Sequence, residues 1–314
     1  YMNRYPFCIF RIPENGGRVL WEITNTCNYH CSYCVFSSEF KKYENELTTD
    51  EVKRVIKELK ENNFIYIKFT GGEPFTRKDM IEILKYSNEL GFEMDISTNA
   101  SLITEKIAKE LKDINLQMVH VSLDGNDKIS HEYVRGENTF EKTLRGIKFL
   151  TNNGVYTRIG TVIYRENENK LEEIVKLAIE LNADEIIFSF MEAVGRLNGN
   201  ETIISKRTIE SVKEELEKMA IKYKERIQVK YSFSENKTTE TNEYCPGANK
   251  FLYINNLGQV SPCSWITSKY PEYKSKLTLK NSTFSEVIKS EPIQKYLEYI
   301  EKNQGKGCPV NRRK

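Results

Sequence analysis

The sequence contains no apolar run that approaches the roughly 20 residues needed to cross a bilayer, so no membrane partner is expected. Its net charge is only +2, which gives no electrostatic case for binding nucleic acid or an anionic membrane surface. The first residues lack the apolar core of a signal peptide. Seven cysteines are an odd number and fit a secreted disulfide framework poorly. We therefore expect a reduced, cytoplasmic protein.

What the chain has instead is a regular alternation of short apolar segments and amphipathic helical patterns. Its 314 residues are enough for one large α/β domain and a small appendage. Strands are predicted over residues 19–23, 65–69, 92–96, 118–123, 157–163 and 185–190. Helices are predicted near residues 49–62, 78–90, 104–113, 139–153, 168–182 and 206–224. Six βα units in series predict a parallel sheet with helices outside it, and such a sheet carries its chemistry on the loops after the strands.

The pattern changes near residue 225. Residues 227–231 read as a further strand, residues 251–254 and 260–263 as a β-hairpin, and residues 284–302 as one helix. We therefore expect three parts, which are an N-terminal extension (1–18), an α/β core (19–225) and a small α+β domain (226–314).

Three cysteines follow the first predicted strand directly. Cys27, Cys31 and Cys34 have the spacing C-x3-C-x2-C. Thiolate is the ligand that iron–sulfur clusters use, and three thiolates leave one iron of a [4Fe-4S] cube open to a small molecule. The alternative is a zinc site, which would want a fourth ligand. His30 is the nearest candidate for that ligand, but it lies inside the loop between two of the cysteines.

The cysteine spacing resembles the signature of the radical S-adenosylmethionine (SAM) enzymes. Gly71-Gly72-Glu73-Pro74, after the second strand, resembles the stretch that binds the methionine amino group in that family. The resemblance implies a partial (β/α)6 TIM-like barrel whose cluster binds SAM. It further implies an electron from a flavodoxin or ferredoxin-type donor, and cleavage of SAM to a 5′-deoxyadenosyl radical that abstracts hydrogen from a substrate.

The same resemblance assigns further SAM contacts to loops at the same edge of the sheet. Tyr33 matches the position beside adenine, and Ser122 with Arg135 matches a pair that contacts the ribose and the carboxylate. Arginine suits a carboxylate because its planar fork offers two parallel hydrogen bonds. Ser97 and Asn99 are candidates for the ribose or the carboxylate. Each of these residues also has an ordinary structural interpretation, as a loop aromatic, a helix-start arginine or a turn residue.

Gly195-Arg196, after the sixth strand, resembles a Gly-Arg pair near adenine in the same family. A turn with a surface arginine is the alternative.

A second group of cysteines, Cys245, Cys263 and Cys308, lies in the C-terminal part. It resembles the auxiliary-cluster domain called SPASM, or its shorter form called twitch. The resemblance implies one auxiliary [4Fe-4S] cluster, either with an open iron or with a fourth ligand such as Cys8. Structural zinc is the alternative for this group.

The leading hypothesis for function is radical modification of a ribosomally made peptide, by cross-linking or a related change. A small-molecule cyclase or oxidative decarboxylase of cofactor biosynthesis is the first alternative. A peptide epimerase is the second, and a non-catalytic iron–sulfur or zinc protein is the third. The sequence identifies no catalytic side chain and no particular substrate.

Overall fold

The computed structural model describes residues 15–114, 116–199, 201–233, 245 and 247–303. The described part contains one open sheet with the strand order β7-β6-β5-β4-β3-β2-β1-β8-β9. The strands are β1 (Gly17–Thr24), β2 (Phe64–Gly71), β3 (Glu93–Thr98), β4 (Leu116–Ser122), β5 (Thr157–Ile163), β6 (Glu185–Phe190), β7 (Gln228–Tyr231), β8 (Phe251–Ile254) and β9 (Val260–Ser261). All neighbouring strands are parallel except β8 and β9. The expected α/β class with a partial parallel barrel is confirmed.

The helices other than α4 (Lys128–Arg135) contribute side chains to the large core on one face of this sheet. In chain order, the helices are α1 (Thr49–Glu61), α2 (Met80–Glu89), α3 (Glu105–Asp113), α4 (Lys128–Arg135), α5 (Phe140–Asn152), α6 (Leu171–Glu180), α7 (Ile209–Lys222), α8 (Ser264–Lys269), α9 (Phe284–Ile288) and α10 (Glu291–Lys302). Within the described residues, none of them combines the length and the apolar character that a membrane span requires.

The short helix α8 was not predicted, and two further differences between the predicted and observed helices have a local cause. The helix predicted over 284–302 is divided into α9 and α10, because Ser290 is extended and Pro292 lies in the first turn of α10, where its missing N–H is tolerated. The short helix α4 was not predicted, since its sequence is mostly polar. It is nucleated by Asp127, whose side chain accepts a 2.7 Å hydrogen bond from the Ser130 amide.

The strands alternate between a helix-facing and an inner face, as the period of two requires. In β1, Val19, Trp21 and Ile23 join the large core beneath the helices. Leu20 packs instead with β8 residues in a separate cluster on the other face. The inner face of the sheet is therefore built from a different set of residues than the core.

Charged side chains fill much of the inner face at the amino ends of the strands. Arg18 lies 3.4 Å from Asp95, and both side chains are almost fully buried. Glu185 is buried between Arg158 and Lys230, with the Lys230 ammonium 2.6 Å from its carboxylate. Buried charges are stable only when they are paired in this way. These pairs connect β1 with β3, across β2, and β6 with its neighbours β5 and β7, at the end of the sheet opposite the candidate site.

The chain beyond residue 225 continues the same sheet. β7 pairs with β6, and β8 pairs with β1 on the other side of the six predicted strands. The Phe284 amide also donates a 2.6 Å hydrogen bond to Glu58 of α1. The division of the chain into residues 1–18, 19–225 and 226–314 stays a prediction, and the first of these segments lies almost entirely outside the described residues.

One buried carboxyl on the inner face connects these two parts. Glu22 of β1 is 5% exposed and accepts a hydrogen bond from the hydroxyl of Tyr253 in β8. Burial raises the pKa of Glu22 from 4.5 to about 7, and the nearby Glu46 adds to the rise. The folded protein therefore holds a proton on Glu22 that the unfolded chain releases at a lower pH.

We predict that Glu22→Gln flattens the pH dependence of stability. Glu22 contributes stability that is fully present below pH 4.5 and is lost as the pH rises through about 7. The change corresponds to roughly 3 kcal/mol at most. Urea unfolding between pH 5 and pH 8 measures it. Wild type and the exposed control Glu225→Gln should lose more stability over that interval than Glu22→Gln, and three parallel curves would contradict the assignment.

Candidate functional site

The loop after β1, residues 25–39, carries the first three cysteines and is here called the cysteine loop. Each of its three cysteine sulfurs accepts one hydrogen bond. The Tyr29 amide donates to Cys27 at 3.4 Å, and the Ser38 amide donates to Cys34 at 3.5 Å. Arg135 Nη1 donates to Cys31 at 3.9 Å. Hydrogen bonds of this kind stabilise thiolate ligands and tune the potential of an iron–sulfur cluster. The donor set and its surroundings therefore fit a thiolate-bound cluster.

The protonation of these thiols depends on what they bind. Burial raises the pKa of Cys27 to about 12, and burial also raises the pKa of Cys31 although Arg135 opposes the rise. A bound metal deprotonates such thiols. Among the described residues, no three His, Cys, Asp or Glu side chains converge where they could hold a single metal ion. A cubane cluster does not require that convergence, because each thiolate binds a different iron.

Gly195 and Arg196 hold the cysteine loop in place. The Arg196 amide donates to the Cys34 carbonyl at 3.0 Å, and its guanidinium donates to the carbonyls of Cys31, at 2.5 Å, and Ser38. Gly195 has φ +60°, and a Cβ there would lie 2.3 Å from the Cys34 carbonyl oxygen. The resemblance in sequence implies a place near adenine for this pair. The observed contacts of Arg196 are with the backbone of the cysteine loop.

The loop after β2 lies directly against the cysteine loop. A Cβ on Gly71 would lie 2.2 Å from the Thr24 carbonyl oxygen, and one on Gly72 equally close to that of Thr26. The amides of Gly72 and Glu73 donate to these two carbonyls at 2.7 and 2.8 Å. Glycine is thus required by close backbone approach.

Glu73 is a fully buried carboxylate at this contact. It accepts hydrogen bonds from the Thr98 hydroxyl at 2.7 Å and from the amides of Asn99 and Phe75 at 2.7 and 3.1 Å. Burial nevertheless raises its pKa to about 7. Pro74 begins a short 3-10 helix, Pro74–Thr76, that fixes the end of the loop. A buried carboxylate with spare lone pairs is suited to receive an ammonium group.

The candidate SAM contacts at the carboxyl ends of β3 and β4 have different surroundings. The Asn99 amide group donates to the Asn28 side chain at 3.0 Å and accepts from Ser101, so it is part of a network that reaches the cysteine loop. Asn28 was not recognised from sequence, although it directly follows Cys27. Ser97 pairs in register with His120, and Ser122 ends β4.

Tyr33 and Arg135 are brought together by a third residue. The Tyr33 hydroxyl donates to Asp124 Oδ2 at 2.5 Å, and Arg135 Nε donates to the same oxygen at 2.6 Å. The Arg135 guanidinium carbon lies 5.4 Å from the centre of the Tyr33 ring. Asp124 lies two residues after Ser122, and no role was predicted for it from the sequence.

The second cysteine group is described only in part. Cys308 and Cys8 lie outside the described residues. Cys245 Sγ lies 3.4 Å from the Tyr296 hydroxyl of α10. Gly247 packs between Tyr296 and the carbonyl of Pro262, the residue before Cys263. The segments that carry Cys245 and Cys263 therefore lie side by side next to α10.

The sequence of this chain is similar to a known family and to known enzymes. The sequence pattern of the Radical SAM superfamily matches residues 21–178. An AdoMet-dependent heme synthase of Nitratidesulfovibrio vulgaris is 28% identical over 269 residues, which are 79% of this chain and 73% of that protein. A PqqA peptide cyclase of Bradyrhizobium diazoefficiens is 29% identical over 256 residues, which are 78% of this chain and 66% of that protein.

Solved structures show the same fold. Streptococcus suis SuiB bound to S-adenosylmethionine matches with a TM-score of 0.74 at 18% identity, over 91% of this chain and 68% of that chain. SuiB bound to the precursor peptide SuiA matches with a TM-score of 0.74 at 17% identity, over 96% of this chain and 73% of that chain.

We predict that Arg196→Gln loosens the cysteine loop. The substitution removes the charged donors to two carbonyls, each worth about 1.5–3 kcal/mol. After anaerobic reconstitution, iron should be released to a chelator roughly tenfold faster than from the wild type, which corresponds to about 1.4 kcal/mol. Arg226→Gln, at an exposed position, is the control. Equal release rates in all three proteins would show that Arg196 does not stabilise the loop.

Proposed function

Because the chain belongs to the radical SAM superfamily, we propose that it is a radical SAM enzyme that modifies a ribosomally made peptide, by cross-linking or a related change. One observation carries the SAM-dependent part of the proposal. Three hydrogen-bonded thiols on one loop lie against a second loop that presents the buried carboxylate of Glu73. Membership in an enzyme family argues against the non-catalytic alternative.

In this proposal the chain's own residues bind and orient. Cys27, Cys31 and Cys34 hold three irons of the cluster, and Glu73 receives the amino group of SAM. When bound, the cluster would supply the electron that cleaves a C–S bond of SAM, which gives methionine and a 5′-deoxyadenosyl radical. Gly71, Gly72 and Pro74 fix the carboxylate, while Ser97, Asn99, Ser122, Tyr33 and Arg135 bind the rest of SAM. The buried position of Glu73 excludes water, which strengthens its interaction with a cation.

The peptide substrate is supported by a relative, the PqqA peptide cyclase, which is 29% identical over 78% of this chain. A small-molecule substrate is the second candidate. It is supported by the AdoMet-dependent heme synthase, which shares 28% identity over 79% of this chain and 73% of its own length. The epimerase alternative has no comparable support in these relatives.

The auxiliary cluster belongs to the same proposal. Cys245 and Cys263, on adjacent segments beside α10, would provide two of its ligands, and Cys308 would provide the third. A flavodoxin or ferredoxin-type protein would donate the electron to the first cluster. The cytoplasmic location also stays a prediction.

The SAM-dependent step is tested anaerobically with reconstituted protein, dithionite and SAM. The wild type should form 5′-deoxyadenosine, and its absence with the cluster intact would overturn the proposal. Glu73→Gln should weaken SAM binding by roughly tenfold to a hundredfold, since a hydrogen bond to a charged group contributes about 1.5–3 kcal/mol. The exposed control Glu89→Gln should bind SAM like the wild type.

The substrate class is tested by mass spectrometry. A short peptide encoded beside the gene, incubated with the active protein, should change mass by the loss of hydrogen. A porphyrin that changes while the peptide does not would establish the small-molecule alternative.

Iron content tests the auxiliary cluster. The wild type should hold about eight irons per chain, since a cube holds four. Cys245→Ala combined with Cys263→Ala should hold about four and still cleave SAM. About four irons in the wild type would overturn the second cluster.

A further inference from the structure

Asp124 is the residue on which two of the predicted SAM contacts converge. It is 0% exposed and lies two residues beyond the end of β4. Its Oδ1 accepts a 2.9 Å hydrogen bond from the Val162 amide of β5, and its carbonyl accepts one at 2.8 Å from the Asn167 side chain. The residue is therefore fixed to the sheet through both its side chain and its backbone.

The second carboxylate oxygen of Asp124 is shared by Tyr33 and Arg135. Arg135 Nε donates to it at 2.6 Å and the Tyr33 hydroxyl at 2.5 Å, while Arg135 also donates to the Tyr33 hydroxyl. These contacts use one edge of the guanidinium. The remaining donors include Nη1, which lies 3.9 Å from the sulfur of Cys31. The guanidinium is therefore aimed at the cysteine loop.

The buried charge of Arg135 depends on Asp124. Arg135 is only 9% exposed along its side chain. A buried guanidinium needs a compensating charge, and the fully buried carboxylate of Asp124 supplies it, with Oδ2 2.6 Å from Arg135 Nε. Without that carboxylate, the arginine would lose both its orientation and its charge partner.

The Asp124 side chain accepts from the Val162 amide and does not cap the neighbouring helix α4. The N-cap of α4 is Asp127, whose side chain accepts from the Ser130 amide and pairs with Lys170 at 3.0 Å. A Cβ at Gly125 would lie 2.2 Å from the Ser130 hydroxyl, so the chain there passes too close to α4 for a larger residue. The carboxylate of Asp124 points away from that turn, toward Tyr33 and Arg135.

We propose that Asp124 is a positioning residue for SAM, which acts by holding Arg135 and Tyr33 in their binding orientation beside Cys31. The proposal rests on the proposed function, because it takes SAM as the ligand of that subsite. Asp124 itself is not expected to touch the reacting atoms.

The test measures SAM binding to cluster-loaded protein without reductant, so that SAM is not cleaved. Asp124→Asn removes the negative charge and leaves one acceptor oxygen, so the residue can no longer accept from both the Val162 amide and Arg135 Nε. Its Kd for SAM should rise about tenfold, equivalent to about 1.4 kcal/mol. The control Asp127→Asn, which keeps a good N-cap, should bind within about twofold of the wild type.

A double-mutant cycle separates positioning from general damage to the fold. Arg135→Gln alone should weaken SAM binding at least as much as Asp124→Asn. If Asp124 acts through Arg135, adding Asp124→Asn to Arg135→Gln should change the Kd by less than about twofold. Fully additive effects would overturn the proposal, as would an unchanged Kd in Asp124→Asn. Iron content and melting temperature establish that each variant is folded and loaded.

Tyr33→Phe keeps the proposal testable if Asp124→Asn does not load its cluster. The substitution removes only the hydroxyl that joins Asp124 and Arg135. Introduced alone, it should weaken SAM binding about threefold, whereas added to Arg135→Gln it should have no further effect. Equal effects in both backgrounds would overturn the proposal. A wild type that binds no SAM would overturn the proposed function as well, whereas loss of the coupling alone overturns only the role of Asp124.

Discussion

The close backbone contact between the first two loops of the sheet is the constraint on which the candidate site depends. Gly71 and Gly72 bring the second loop within hydrogen-bonding distance of the Thr24 and Thr26 carbonyls. That contact places the buried carboxylate of Glu73 in a loop that lies directly against the cysteine loop. Because backbone atoms make the contact, the positions of both loops follow from the register of β1 and β2.

Sequence patterns alone predicted the strands and motifs whose signal lies within a short stretch of residues. All six core strands were predicted close to their observed bounds, since each is a short apolar run between turn residues. The cysteines and the Gly-Gly-Glu-Pro stretch were found because their spacing is itself the signal. Short polar helices such as α4 give no such signal, and the break before α10 depends on the fixed φ of one proline.

The roles of Asp124 and Arg196 could not be read from the sequence, because they arise from contacts between distant segments. Arg196 binds the carbonyl of Cys31, which is 165 positions away. Asp124 receives the hydroxyl of Tyr33 from 91 positions away. An arginine in a turn and an aspartate after a strand are common, and only the packed sheet shows what they hold. Arg196 contacts a predicted cluster ligand, and Asp124 contacts a residue predicted to bind SAM.

The pairing of β8 with β1 has a consequence for how the chain folds. β1 precedes the other described strands in the sequence, yet one of its two edges is completed by β8, the eighth described strand. Glu22 and Tyr253, which join across that edge, are 231 positions apart. Contacts of such long range slow folding, and until they form β1 presents an open hydrogen-bonding edge to other chains. Until β8 is in place, the strand that leads into the cysteine loop is therefore a potential site of aggregation.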